Sequence, residues 1–364
     1  RHAAALCAAA IALVPTAQAQ AGSAQVAPDA VLLRTPDVSR DQICFRYDGD
    51  VWLVDKRGGE ARRLSSVPGN ESFPRFSPDG QSLAFMGGYE GGSDLYVLPI
   101  DGGVPRRLTH HPDRELLCDW LPGGEGLLFF SSMVSGQRRA QKLYTVPIEG
   151  GQPVELPVPF GAFGAIDPQG RRLAYTPYAY SEFATWRRYQ GGSASDIWIL
   201  DLATKESTRV TDWPGTDSLP MWHGDRLVFL SDRGEGHRLN LWAVDLDSGS
   251  FEQLTDFRDW DVRFPAIGPE DIVFENGGQL WRYELQGGES VPVEITIPVD
   301  RPQLVAHSVD VSDLVGGLSL GPNARRAAVE ARGELFSVPV EDGVVRNLTR
   351  TDGVAERDPA WSPD

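Results

Sequence analysis

Cysteine, histidine and positive charge are all scarce in this chain: 364 residues carry 3 Cys, 6 His and 34 Lys plus Arg, against 51 Asp plus Glu. The formal net charge of −17 repels a phosphate backbone, which argues against nucleic acid as a partner. Solubility is the simpler use of the acid. Cys7 lies in a leader-like stretch, which leaves Cys44 in an apolar segment and Cys118 beside Trp120. These two read as small buried hydrophobes rather than a disulfide, and no metal-ligand spacing accompanies them. No metal and no cofactor are expected.

The usual signatures of chemistry are missing as well. There is no Gly-x-Ser-x-Gly elbow, no His-Glu-x-x-His and no phosphate-binding glycine loop. His110 and His111 read as loop residues, and His223 and His237 as turn residues, so no base stands where it would activate a nucleophile. No catalytic residue is assigned. Beyond the leader, no window of 11 or more residues has a convincing helical period, which disfavours an alternating helix and strand fold.

Residues 1–21 read as a signal peptide. An Ala- and Leu-rich run from Ala3 to Val14 precedes Pro15 and the small-residue sequence Ala17-Gln18-Ala19-Gln20-Ala21. The run is too short to span a bilayer. Export to the periplasm or the extracellular space is the expectation, with no membrane insertion of the mature chain.

What the chain does have is one phrase written repeatedly. It runs Phe76-Ser77-Pro78-Asp79-Gly80, an apolar stretch, Asp94-Leu95-Tyr96-Val97, Asp101-Gly102-Gly103 and Arg107-Leu108-Thr109. The central aromatic returns at Trp52, Tyr96, Tyr144, Trp198, Trp242, Trp281 and Phe336, at intervals of 39 to 55 residues. Glycine supplies the positive φ of the hairpin turns, and Pro presets the first corner of the turn before the apolar stretch. Short strands rich in Val, Ile, Leu and Phe lie between the turns, four to a unit. That is the pattern of a β-propeller, whose blades cover one another's apolar faces.

Counting gives an all-β chain: a six-bladed β-propeller of four-stranded antiparallel blades over residues 29–300, a linker at 301–317, and the first blade of a second propeller within 318–364. The sequence Ala360-Trp361-Ser362-Pro363-Asp364 restates Arg75-Phe76-Ser77-Pro78-Asp79, so the second propeller reads as truncated. A single seven-bladed ring is the rival count.

Two features invite a functional reading. The Asp that opens the aromatic strand, at Asp50, Asp94 and Asp196 with Asn240 in the same place, recurs too regularly for a ligand site and is expected to accept main-chain N–H groups. The fourth unit carries an insertion, residues 177–195, with Tyr180, Trp186, Arg187, Arg188 and Tyr189. These are residue types that form contact hot spots, so an interdomain or partner contact is expected there. Arg138 and Arg139 make a smaller basic patch in the third unit that could attract a carboxylate.

The run Trp186-Arg187-Arg188-Tyr189-Gln190-Gly191-Gly192 leading into Asp196-Ile197-Trp198 resembles the N-terminal region of tricorn-type proteases, the large serine peptidases of the S41 class. So do Gly49-Asp50-Val51-Trp52 and the stretch from Gly333 to Thr349. The resemblance implies peptide or unfolded polypeptide as substrate, a following PDZ-like domain and catalytic domains outside this chain, and assembly into a hexamer. It also implies a pair of arginines holding a peptide carboxylate, on a loop that falls at Asp113-Arg114-Glu115, where Arg114 stands alone. A free-standing TolB-like propeller acting as a periplasmic interaction module is the alternative. A hydrolase working through acidic residues in the propeller channel is a third, weaker one.

Overall fold

Each repeat folds as a four-stranded antiparallel sheet whose strands follow one another in the chain. The computed structural model describes residues 32–135, 140–178, 183, 187–298, 309–351 and 354–363. Six such sheets, here blades 1 to 6, fall within 32–298, and a seventh lies within 309–351. The chain divides into two compact units between Pro298 and Val299.

In the first unit the inner strands are Arg34–Val38, Glu71–Phe76, Glu115–Trp120, Ala162–Ile166, Asp217–His223 and Arg263–Ile267. Each touches the next, and the sixth touches the first, so the six blades close into a ring. Among the described residues closure exchanges no strand between the four-stranded blades. Instead Ile295–Thr296 adds in parallel to Gly59–Glu60, and the Leu32 N–H donates to the Gly278 carbonyl at 2.7 Å. Ion pairs reinforce the seam: Arg34 with Glu275 at 2.8 Å, and Lys56 with Glu270 and Asp271 at 2.6 and 3.1 Å.

The recurrent aromatic packs against a second-strand ring directly opposite. Trp52 faces Phe45, Tyr96 faces Phe85, Tyr144 faces Phe129, Trp242 faces Phe229 and Trp281 faces Phe274, and in blade 4 Trp198 faces Tyr175. Such cross-strand aromatic pairs are the unit of sheet stabilisation. All five second-strand phenylalanines are fully buried, so the stripe is blade core.

The rest of the repeated phrase is explained by a lock at the strand start. The Val51, Leu95, Ile197, Leu241 and Leu335 N–H groups each donate to a Ser or Thr hydroxyl 14 residues on, at Ser65, Thr109, Thr211, Thr255 and Thr349. The preceding acid does less main-chain capping than its regularity implies. Asp50, Asp94 and Asp196 pair with Arg63, Arg107 and Arg209 at 2.7–2.8 Å. Only Asp196 and Asn240 of this set also accept a main-chain N–H, from Trp213 and Phe257.

In the second unit the seventh sheet runs Val315–Leu320, Arg326–Ala331, Glu334–Pro339 and Arg346–Asn347, preceded by a 3-10 turn at Ser312–Leu314. Its first strand starts ahead of residue 318 because a bulge at Val315 to Gly317 carries the Gly pair into the ladder. The indole of Trp361 then donates to the Ser319 carbonyl at 2.9 Å. Within the ring, Trp120 does the same to Arg75 at 3.0 Å, and Trp222 to Ala165 at 2.9 Å. Residues 354–363 thus make against the seventh sheet the contact that one inner strand makes against its predecessor.

Candidate functional site

The inner strands shape the axis of the ring. Every one carries a bulge, and in five the bulged residue has positive φ: Thr35, Phe73, Phe163, Leu219 and Phe264, at 43–52°. A bulge turns the strand and re-aims the side chains after it. Here those side chains line a cavity of about 940 Å³, to which all six blades contribute. That is within the size range of ligand pockets.

One tier of the wall is set by the residue at which strand pairing resumes after the bulge. Around the ring it reads Asp37, Arg75, Asp119, then Ala165, Met221, Ala266. Three consecutive blades give charge and the other three give apolar surface. Arg75 is buried and ties the charged blades together: its Nε donates to the Cys118 carbonyl at 3.0 Å, and Nη1 to the Pro36 and Pro74 carbonyls, both at 3.1 Å. Asp37 is buried beside it and accepts the Phe76 N–H at 2.7 Å. Burial pushes the Asp37 carboxyl up to about 7, opposed by the Arg75 charge and helped by Asp119. Asp119 faces the cavity, where solvent reaches it although protein surrounds it. Its own carboxyl is also raised by burial, with Arg75 acting against the shift.

Cys118 lines the same wall, and burial pushes its thiol up to about 12. A thiol held protonated is a poor nucleophile. Among the described residues no three His, Cys, Asp or Glu side chains gather to hold a metal, and no helix is long and apolar enough to cross a membrane. The tier can bind charge, and it presents no activated nucleophile.

An aromatic tier lies next along the axis. Phe73 and Phe264 meet edge to face at 5.5 Å, and Phe183 from the blade 4 insertion sits against Phe73, Phe163 and Phe264 at 6.4, 5.8 and 6.1 Å. The guanidinium of Arg114 lies 5.9 Å from the Phe183 ring centre, and burial alone lowers its pKa. Arg187 reaches Asp261 of the ring at 3.6 Å, Arg188 is exposed with φ of 57°, and Tyr189 is half-buried. Arg138, Arg139, Tyr180 and Trp186 lie outside the described residues.

The structure therefore gathers Arg114 with an aromatic group that sequence reasoning did not place on the axis. It also reveals Asp37, Arg75 and Asp119, which that reasoning passed over. Their signal was present: aligning the units on the turn after the inner strand puts these three at one position, the residue before the last aromatic or aliphatic one.

Residues 30–289 match the family described as the tricorn protease N-terminal beta propeller domain. Tricorn protease homolog 1 of Streptomyces coelicolor is 31% identical over 332 residues, covering 90% of this chain and 30% of its own length. A tricorn protease homolog of Saccharolobus solfataricus is 28% identical over 328 residues, covering 88% and 30%. The chain spans about 30% of the length of these curated relatives. Among solved structures, the tricorn protease superposes with a TM-score of 0.71 at 22% identity, over 88% of this chain and 32% of that one. A TolB-like protein from Agrobacterium tumefaciens gives 0.50 at 20% identity, over 68% and 84%. At such identities these structural likenesses speak for the fold alone.

Proposed function

Because the chain belongs to the tricorn protease N-terminal beta propeller domain family, we propose that its ring is the peptide-handling part of an exported tricorn-like serine peptidase. The observation that carries this reading is the axial cavity of about 940 Å³, walled by all six blades and with no histidine in its lining. A ring of this kind docks or passes peptides, and bond cleavage belongs to PDZ-like and catalytic domains elsewhere in the parent protein, assembled as a hexamer. Arg114 is the proposed contact for a peptide carboxylate. Its guanidinium borders the aromatic tier and, among the described residues, has no acidic side chain in ion-pair contact. The leader-like residues 1–21 support export.

A second reading rests on the TolB-like fold neighbour, with the ring serving as a periplasmic interaction module. Peptidase assays separate the two. The 364-residue chain is expected to bind peptides without cutting them, and the full-length gene product to cut them. Turnover absent from both products, together with capture of an intact protein partner, would favour the second reading.

A further inference from the structure

We infer that the axial cavity selects peptides by a positively charged group, seated on the Asp37–Asp119 side of the wall with apolar surface facing it. The inference rests on the peptide-handling reading above and adds the chemical class of peptide.

The argument starts from how each charge on that wall is used. Arg75 spends Nε and Nη1 on three main-chain carbonyls from three blades, so its guanidinium is part of the scaffold. It stands between two carboxylates without closing on either. Among the described residues no arginine, lysine or histidine comes within ion-pair distance of Asp37 or Asp119, whereas Asp94, Asp217 and Asp271, buried in the blades, each have an arginine at 2.6–2.8 Å.

Of the two, Asp119 is the one that a ligand meets. Its Oδ1 accepts only the neighbouring Trp120 N–H, at 2.7 Å, and its side chain opens onto the cavity. Asp37 lies deeper, with one oxygen held by the Phe76 N–H. The cavity lining also carries Asp41, Asp55 and Asp79 against Arg40, so it keeps surplus negative charge even with Asp37 protonated, in a confined space where a charge–charge contact is worth more than at an open surface. A second anion there would face Asp119 across the cavity.

The far side decides what the cation is attached to. Ala165, Met221 and Ala266 present no hydrogen-bonding side chain, and Phe163 continues that surface. A hydrated metal ion would leave this half unmatched. An apolar stem ending in a cation matches both halves, as a lysine or arginine side chain does, or the α-ammonium of a peptide that begins with an apolar residue.

Fluorescence anisotropy on the 364-residue chain tests this with four labelled octapeptides. Three are N-acetylated and differ only in a central Lys, norleucine or Glu. The fourth has the norleucine centre and a free N-terminus. The Lys peptide is expected to bind at least about 5-fold more tightly than the Glu peptide at low salt, a difference of about 1 kcal/mol. Asp119→Asn, which keeps the side-chain shape, is expected to reduce that preference to about 2-fold or less, and Met221→Glu, on the apolar half, to enlarge it. Tighter binding of the free-N-terminus peptide than of its acetylated twin assigns the seat to the α-ammonium instead of the side chain. If the acetylated peptides bind alike, and neither variant alters their order, the charge selection is wrong while peptide handling stands. If no peptide binds the wild-type chain, the peptide-handling reading itself falls and takes the inference with it.

Discussion

Lys142 and Glu155 form the pair that Asp94 and Arg107 form one blade earlier, with the charges exchanged. In both blades the first residue opens the third strand, and the second lies 13 residues on, in the outer strand. Blades 1 and 4 keep the acid first, as Asp50–Arg63 and Asp196–Arg209. In these four blades the two positions carry opposite charge, whichever way round, whereas in blades 5 and 6 they are the uncharged Asn240 and Gln253, and Gln279 and Pro292.

A double-mutant cycle measures the charge pairing. Lys142→Asp alone and Glu155→Arg alone each place like charges in contact, and each is expected to lower stability by roughly 0.5–1 kcal/mol. The double variant restores the usual order and is expected to recover most of the loss, giving a coupling of similar size in urea unfolding. Asp94→Ala is expected to cost more, roughly 1–2 kcal/mol, because Asp94 is buried and its loss leaves Arg107 only the exposed Glu90 as an acidic partner. Additive single losses in the cycle would show that the two side chains do not act as a pair.

Asp37 makes stability depend on pH. Its folded-state carboxyl is raised to about 7, while in the unfolded chain it titrates in the ordinary range near 4. Between those values the folded chain holds a proton that the unfolded chain has released, so stability from this group falls as pH rises, and the loss is complete above about 7. Asn stays neutral throughout and can still accept the Phe76 N–H. Asp37→Asn is therefore expected to match the wild type near pH 4 and to exceed it by roughly 1–3 kcal/mol at pH 8. Glu115, raised to about 8 by burial, contributes with the same sign, and the difference between the two curves removes it. Parallel curves for variant and wild type would mean that Asp37 is already ionised in the folded state.

How much of this was legible in the sequence follows from what repeats. Blade number, strand order and the aromatic core are written once per unit, so six copies average out local noise. The lock at the strand start is legible too, since a hydroxyl 14 residues past a fixed position is a spacing. The channel is harder, because Asp37, Arg75 and Asp119 matter through their difference from Ala165, Met221 and Ala266, and a search for regularity passes over a position that varies. The approach of Phe183 to Phe73 and Phe264 could not be read at all. Those rings come from blades 2 and 6 and an insertion in blade 4, brought together only when the ring closes.

The three indole contacts onto an inner strand give a last prediction, and one that compares the chain with itself. Trp120 and Trp222 are 7% exposed and donate to carbonyls inside the ring, whereas Trp361 is 40% exposed while making the same bond. Replacing Trp by Phe removes the donor and part of the ring. At a buried site it leaves a carbonyl without its partner, at a cost of roughly 1–3 kcal/mol. At an exposed site water replaces the lost bond, and the cost is expected to stay below about 0.5 kcal/mol. Trp120→Phe should therefore lower the unfolding midpoint of this chain clearly, and Trp361→Phe hardly at all. Equal losses at the two sites would show that residues 354–363 are packed as tightly against the seventh sheet as one blade of the ring is against the next.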